Sequence, residues 1–293
     1  MTVLIILIIL IIVFAQNNIL YIYKKRINNE EKYISILNKS KFIHISFDDC
    51  IETFESLNDN NYNLIFDNKF LLTLKEMHDL YGAQFSLFCY NKNDKFELKN
   101  CTTRYKNEFE NNSGWLKFRF HANDTSSDYN NYSIINDYNL CIDSLKNIVG
   151  EKSLTNIVRL DCFILSQDNI KKLRNSSYPI IGLLAADTNN RQNYYLTENQ
   201  NNYLFLNDYL YDNENNVFFY KTDIRIENLQ LKNIEKSLEE KIRVDDNLIV
   251  FSHEWKFYGK KDFTISYLKL RKICEYGISN GYNFGYSYCK EGE

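Results

Sequence analysis

From Lys41 onward the chain alternates short apolar runs with longer segments of helical period, and no other feature limits its fold so tightly. Strands are predicted at Phe42–Phe47, Gln84–Tyr90, Leu116–His121, Ile157–Phe163, Ile180–Ala186, Val217–Tyr220, Leu248–Phe251 and Asn283–Tyr288. Helical periodicity fills most of the gaps: Phe66–Leu80 stopped by Gly82, Tyr132–Val149 stopped by Gly150, Gln167–Leu173, Asn228–Ile242 and Phe263–Ile278. Strand, helix, strand repeated six or seven times predicts a mostly parallel sheet covered by helices. Closed into a barrel, such a chain needs no second domain, and no Gly/Ser/Pro-rich linker divides it. The polar, Tyr-rich stretch 189–216 reads as a long irregular insertion. Its aromatics, Tyr194, Tyr195, Tyr203, Phe205, Tyr209 and Tyr211, are either packing residues or platforms for sugar rings.

The chain has 293 residues, 44% hydrophobic and 25% charged, which is ordinary globular composition. A net charge of −3 offers no bulk attraction to nucleic acid. Forty asparagines signal a compositional bias that makes Asn-x-Ser/Thr matches by chance. Seven cysteines show neither zinc-like Cys-x-x-Cys spacing nor a small disulfide framework, so buried free thiols are expected.

Before the globular region, residues 3–15 are unbroken apolar, and the run resumes after Gln16-Asn17-Asn18 up to Lys24-Lys25-Arg26. Taken as one helix, 3–23 is long enough to span a bilayer. The expectation is a membrane anchor over 1–23 with a polar linker over 24–40, or a secreted chain cleaved near Ala15. The side of the membrane stays open.

In parallel α/β architectures the chemistry sits at the C-terminal ends of strands. Five predicted strands here end in ionisable residues. The first ends in Asp48-Asp49. Adjacent carboxylates repel, so either a cation neutralises one and leaves the other free to take a proton, or one caps the next turn. The third ends in His121, with Asp124 three residues on. The fourth carries Arg159 and Asp161, which period two places on one face, as a buried ion pair or a functional couple. The fifth ends in Asp187 with Arg191 beyond, and the seventh in His253-Glu254. Taken together they argue for a site at the rim of the sheet. His44, inside the first strand, and His78, on an amphipathic helix, read as structural.

These residues carry a resemblance. Ile45-Ser46-Phe47-Asp48-Asp49-Cys50 resembles the Thr-Phe-Asp-Asp-Gly signature of the polysaccharide deacetylases, the NodB-homology group of carbohydrate esterase family four. Leu248–His253 resembles that group's late Leu-x-His element. Trp115–His121, Val158–Asp161, Gly182–Asp187, Asp223–Glu227 and Ser252–Trp255 are similar, in the same order, to a poorly characterised branch of it. The resemblance implies a distorted (β/α)7 barrel over 41–293 and a divalent metal, zinc first, that activates water to remove N-acetyl or O-acetyl groups from a glycan. It implies Asp48 as general base, Asp49 and His121 as metal ligands, Arg159 as the residue that orients the base, and His253 as general acid. Asp187 and Glu254 are supporting candidates.

The departures matter. The family's second metal histidine, four residues after the first, is Thr125 here, so a third ligand must come from elsewhere. Asp161 is favoured and Asp124 is the alternative. A carboxylate in place of imidazole shifts preference towards harder ions such as Mn²⁺ or Mg²⁺. Cys50 replaces the usual glycine. The competing readings are a catalytically inactive carbohydrate-binding protein and an envelope-associated partner on the same barrel.

Overall fold

The structure, a computed structural model, describes residues 41–242 and 247–286. Its strands are β1 Phe42–Cys50, β2 Phe85–Tyr90, β3 Leu116–Ala122, β4 Ile157–Val158, β5 Gly182–Leu184, β6 Tyr209–Asp212, β7 Val217–Tyr220, β8 Ile224–Arg225, β9 Asn247–His253 and β10 Asn283–Phe284. The α-helices are α1 Glu52–Asp59, α2 Lys69–Tyr81, α3 Lys106–Asn111, α4 Ile135–Ile148, α5 Gln167–Arg174, α6 Glu198–Asn207, α7 Ile234–Ile242 and α8 Lys260–Ser279.

The strands form two sheets, one ordered β3-β2-β1-β9-β8 with β10 also on β1, the other ordered β4-β5-β7-β6. Every pairing is parallel except β6 with β7. Thr155 N–H donates to the Phe118 carbonyl (3.1 Å), tying β3 to the approach to β4. No closed ring of ladders forms among the described residues, so the predicted barrel is observed as a mixed α/β body around parallel sheets.

The local physics follows the sequence. β1 lies between β2 and β9 and is buried along nearly its whole length, so it reads as a continuous apolar run without alternation. Asn68 accepts from Phe70 and Leu71 N–H to start α2, and Gly82, at φ 71°, ends it in the left-handed conformation that glycine takes without strain. Ser166 starts α5 the same way, accepting from Asn169 N–H.

Two expectations change here. The stretch 189–216 is not irregular: a Thr197/Gln200 capping box opens α6, and β6 pairs antiparallel with β7. Its aromatics are engaged internally: Tyr194 is buried with its hydroxyl on the Leu184 carbonyl, Tyr195 donates to Asp212, and Tyr211 packs on Phe218. The predicted strand Ile157–Phe163 pairs only as far as Val158; Leu160 is still extended, and the chain then turns at Asp161–Phe163, with Cys162 and Phe163 at positive φ (53° and 57°).

The membrane and localisation expectations are corrected. Among the described residues no helix is long and apolar enough to cross a membrane. The longest, α8, has 20 residues, but Lys260, Lys261, Asp262, Lys269, Arg271, Lys272 and Glu275 make it far too costly to insert into hydrocarbon. The apolar stretch 3–23, the linker 24–40 and the cleavage point near Ala15 lie outside the described residues, and anchoring is carried no further. Six cysteines are free thiols and all but Cys162 are buried; Cys289 lies outside the described residues.

Candidate functional site

Because β1, β2, β3 and β9 run parallel, their C-terminal ends open on one side. Two bulges then aim the side chains. Between Phe47 and Cys50, β1 has one residue more than β2, and Asp49 takes φ 60°, a left-handed conformation unusual for aspartate. Asp48 keeps its ladder place opposite His253 of β9, so the two neighbouring carboxylates part company. On β3, Cys89 pairs with Phe120 but Tyr90 with Ala122, leaving His121 at the irregularity.

His121 Nε2 lies 3.2 Å from Asp49 Oδ1 and 4.0 Å from Asp161 Oδ1. One ligand atom from each of the three residues falls within 4.8 Å of the others. His121 Nδ1 is 2.5 Å from the Arg159 carbonyl. A carbonyl only accepts, so Nδ1 carries the hydrogen and Nε2 turns its lone pair towards the carboxylates. Three acceptors then face one point, and such a set needs a positive charge. Without a metal a proton serves: burial opposes charging His121, but the Asp49 hydrogen bond and the charges of Asp48, Asp49 and Asp161 outweigh it and raise the pKa to about 9. Burial likewise acts to raise Asp49, and the His121 hydrogen bond with the His121 and His253 charges holds it at about 2. Two carboxylates and one imidazole also suit a divalent cation.

Beside this cluster, Arg159 is fully buried and its guanidinium donates to Asp48 Oδ1 (3.1 Å), Ser46 Oγ (2.7 Å) and Thr222 Oγ1 (2.9 Å). It lies 4.4 Å from the Phe251 ring centroid. Arg159 thus binds Asp48 through its side chain and His121 through its carbonyl. His253 Nδ1 is 3.0 Å from Glu227 Oε1, which also accepts from the His253 backbone N–H and Ser252 Oγ (2.9 Å each). Burial works against a charged His253, yet Glu227 and the charges of Asp48 and Asp49 raise its pKa.

The remaining predicted residues fall elsewhere. Asp124 pairs with Lys92 at 3.3 Å and accepts from Ser126, outside the three-residue cluster, though it lines the same cleft. Asp187 accepts from Asn228 at 3.4 Å and also lies outside the cluster. Glu254 is buried away from the rim opening and accepts from the backbone N–H groups of Ile51, Glu52 and Thr53 (2.7–2.9 Å), so it holds the N-terminus of α1. His44 is buried with Nε2 on Ser86 Oγ, and His78 stacks on Trp115. Three residues at the site had no role assigned from the sequence: Glu227 and Trp255, which only closed motifs there, and Tyr90, whose ring centroid lies 5.2 Å from that of His121; Trp255 Nε1–H donates to Asp49 Oδ2 (3.1 Å). Beyond the cluster opens a cleft of about 770 Å³ walled by Asp49, Tyr90, Lys92, Asp124, Thr125 and Trp255 among others.

No family model and no curated protein matches the chain. Among solved structures, it is similar to the 4-alpha-glucanotransferase from Thermococcus litoralis, with TM-score 0.54 and 12% identity over 85% of this chain and 40% of that one. A peptidoglycan N-acetylglucosamine deacetylase aligns with TM-score 0.43 and 11% identity, covering 85% of this chain and 87% of the other. A family 4 acetyl xylan esterase from Clostridium thermocellum, in complex with a cobalt ion, aligns with TM-score 0.46 and 12% identity, covering 84% and 88%. The glucanotransferase likeness is one of fold alone, and the other two are too low-scoring to carry an argument.

Proposed function

We propose that the protein is a metal-dependent hydrolase that removes acetyl groups from an acetylated glycan, on a barrel of polysaccharide deacetylase type. The observation that carries the reading is the convergence of Asp49, His121 and Asp161, distant in sequence, on one point beside the Asp48–Arg159 pair and the His253–Glu227 pair. The order of the motifs along the chain supports it.

Asp49, His121 and Asp161 would hold the ion. A bound divalent cation supplies an acidified water and polarisation of the acyl carbonyl. Asp48, its carboxylate direction fixed by Arg159 through Oδ1, would serve as the general base for the attacking water. His253, kept charged by Glu227, hands a proton to the departing amine or hydroxyl. Trp255, on the cleft wall beside Asp49, presents a ring face to the sugar.

The test is acetate release by the purified protein from chitooligosaccharides, peptidoglycan fragments and acetylated xylan, with Zn²⁺, Mn²⁺ or Co²⁺ supplied. Turnover on one of these, abolished by chelation and restored by the ion, is expected. Glycan binding without turnover by the ion-loaded protein would favour an inactive carbohydrate-binding protein instead. Absence of both ion binding and acetate release would end the hydrolase reading.

A further inference from the structure

Asp49 stands in the bulge of β1 at φ 60°, outside the described ladder pairings. The last torsion of an aspartate is broad, so the backbone alone does not choose which carboxylate oxygen faces His121. Two contacts do choose. Oδ1 is the oxygen 3.2 Å from His121 Nε2, and Oδ2 accepts the indole Nε1–H of Trp255 at 3.1 Å. The indole is itself held at this corner, in the 3₁₀ turn Glu254–Phe257 that follows β9. Just before it, Glu254 accepts from the backbone N–H groups of Ile51, Glu52 and Thr53. Two residues after it, buried Phe257 packs edge-on against Phe47, with ring centroids 5.4 Å apart. The turn therefore grips β1 and α1 on both sides of Asp49. An indole N–H only donates and carries no charge, so it engages one carboxylate oxygen without opposing a cation at the other.

We propose that Trp255 is a positioning residue: its Nε1–H occupies Asp49 Oδ2 and so turns Oδ1 towards the point that His121 and Asp161 also face. The inference rests on the metal-site reading above and deepens it. Trp255 becomes a determinant of how Asp49 meets a divalent ion, in addition to a wall of the cleft. Outer hydrogen-bond partners of metal ligands typically carry about 10–100-fold of metal affinity, and a partner open to water belongs at the low end, about 10-fold. Trp255 is 43% exposed, so its replacement leaves the core intact.

The experiment compares the full chain with two variants: Trp255→Phe, and a protein with 3-benzothienylalanine at position 255, which keeps the bicyclic ring and puts sulfur in place of N–H. Mn²⁺ and Co²⁺ are titrated into metal-free samples, with the visible spectrum of bound Co²⁺ as the second readout. Both variants should bind both ions about 10-fold more weakly, with altered Co²⁺ bands, while their unfolding midpoints in EDTA match wild type. Wild-type affinity and bands in the benzothienyl protein overturn the role of the N–H and leave the metal site standing, whatever Trp255→Phe does. Midpoints in EDTA that fall together with affinity in both variants also overturn it, in favour of simple packing. If wild type binds neither ion, the metal site itself fails, and the role of Trp255 with it.

Discussion

Arg159 shows how much one buried side chain can organise. Its guanidinium is committed to Asp48, Ser46 and Thr222, while its carbonyl fixes the ring of His121. Asp48 and Asp49, though neighbours, therefore serve different partners, and their substitutions should separate. Asp49→Ala and His121→Ala each remove a donor from a three-residue set, and metal analysis of the purified variants should find the ion lost. Asp48→Asn should keep the ion and lower turnover about 10²- to 10⁴-fold, the usual range for removing a general base. Full turnover in Asp48→Asn would place the base elsewhere. These residues were legible in the sequence because a chemically active side chain at a strand end is visible once the strand is. The roles of Glu227, named only as the end of a motif, and of Tyr90 were not. Glu227 follows a strand of only two residues, too short for periodicity to reveal, and Tyr90 is one of 23 tyrosines, brought beside His121 only once β2 and β3 are paired.

At the scale of elements, the strand pattern was readable and the departures from it were not. β1, β2, β3 and β9 announce themselves as apolar runs, yet what aims their side chains is irregularity: the extra residue in β1, the skipped pairing at His121, the left-handed Cys162 and Phe163. Period two put Arg159 and Asp161 on one face of a strand. They do meet the same site, but because the strand has already ended and a turn carries Asp161 back towards His121. Glu254 teaches the converse. It looked like part of the site and instead joins elements, caught between β9 and the first turn of α1. Burial pushes its carboxyl up to about 7, against the three backbone donors that favour the charged form. Glu254→Ala would strand those donors, and should cost about 2–3 kcal/mol of unfolding free energy in urea titrations. Glu254→Gln retains a carbonyl acceptor and should cost less. If Glu254→Ala kept wild-type stability but lost turnover, Glu254 would have to be returned to the chemistry.

For the whole molecule, the site and the core make opposite demands on protons. The Asp49–His121–Asp161 cluster collects positive charge, so a bound ion adds stability by mass action: at 100 times its dissociation constant, about 2.7 kcal/mol. The core instead excludes it. His44 is fully buried against Ser86, and burial first, then the charge of Arg159, lowers its pKa to about 3. An unfolded histidine takes up its proton near pH 6.5, whereas the folded one stays neutral until about 3. Between those values the unfolded state binds more protons at this residue than the native state, so the contribution of His44 to stability falls as pH drops and is fully present only above about 6.5. The full span corresponds to roughly 4–5 kcal/mol at one proton per molecule. Glu227, held at about 2 by His253 against the opposing effect of burial, adds a loss of the same sign below about 4.5. Other groups oppose the His44 effect in its own window: Glu254, pushed up to about 7, and His121, raised to about 9 without a metal, bind more protons in the native than in the unfolded state. The His44 contribution is therefore read as a difference between two proteins, in urea titrations of chelated samples from about pH 6.5 to 5. Relative to wild type, His44→Gln, which keeps a polar group beside Ser86 but cannot protonate, should gain stability as the pH falls, a slope difference of up to one proton, even if its stability at pH 7 is lower. Identical slopes in the two proteins would mean that His44 is not held neutral in the folded state.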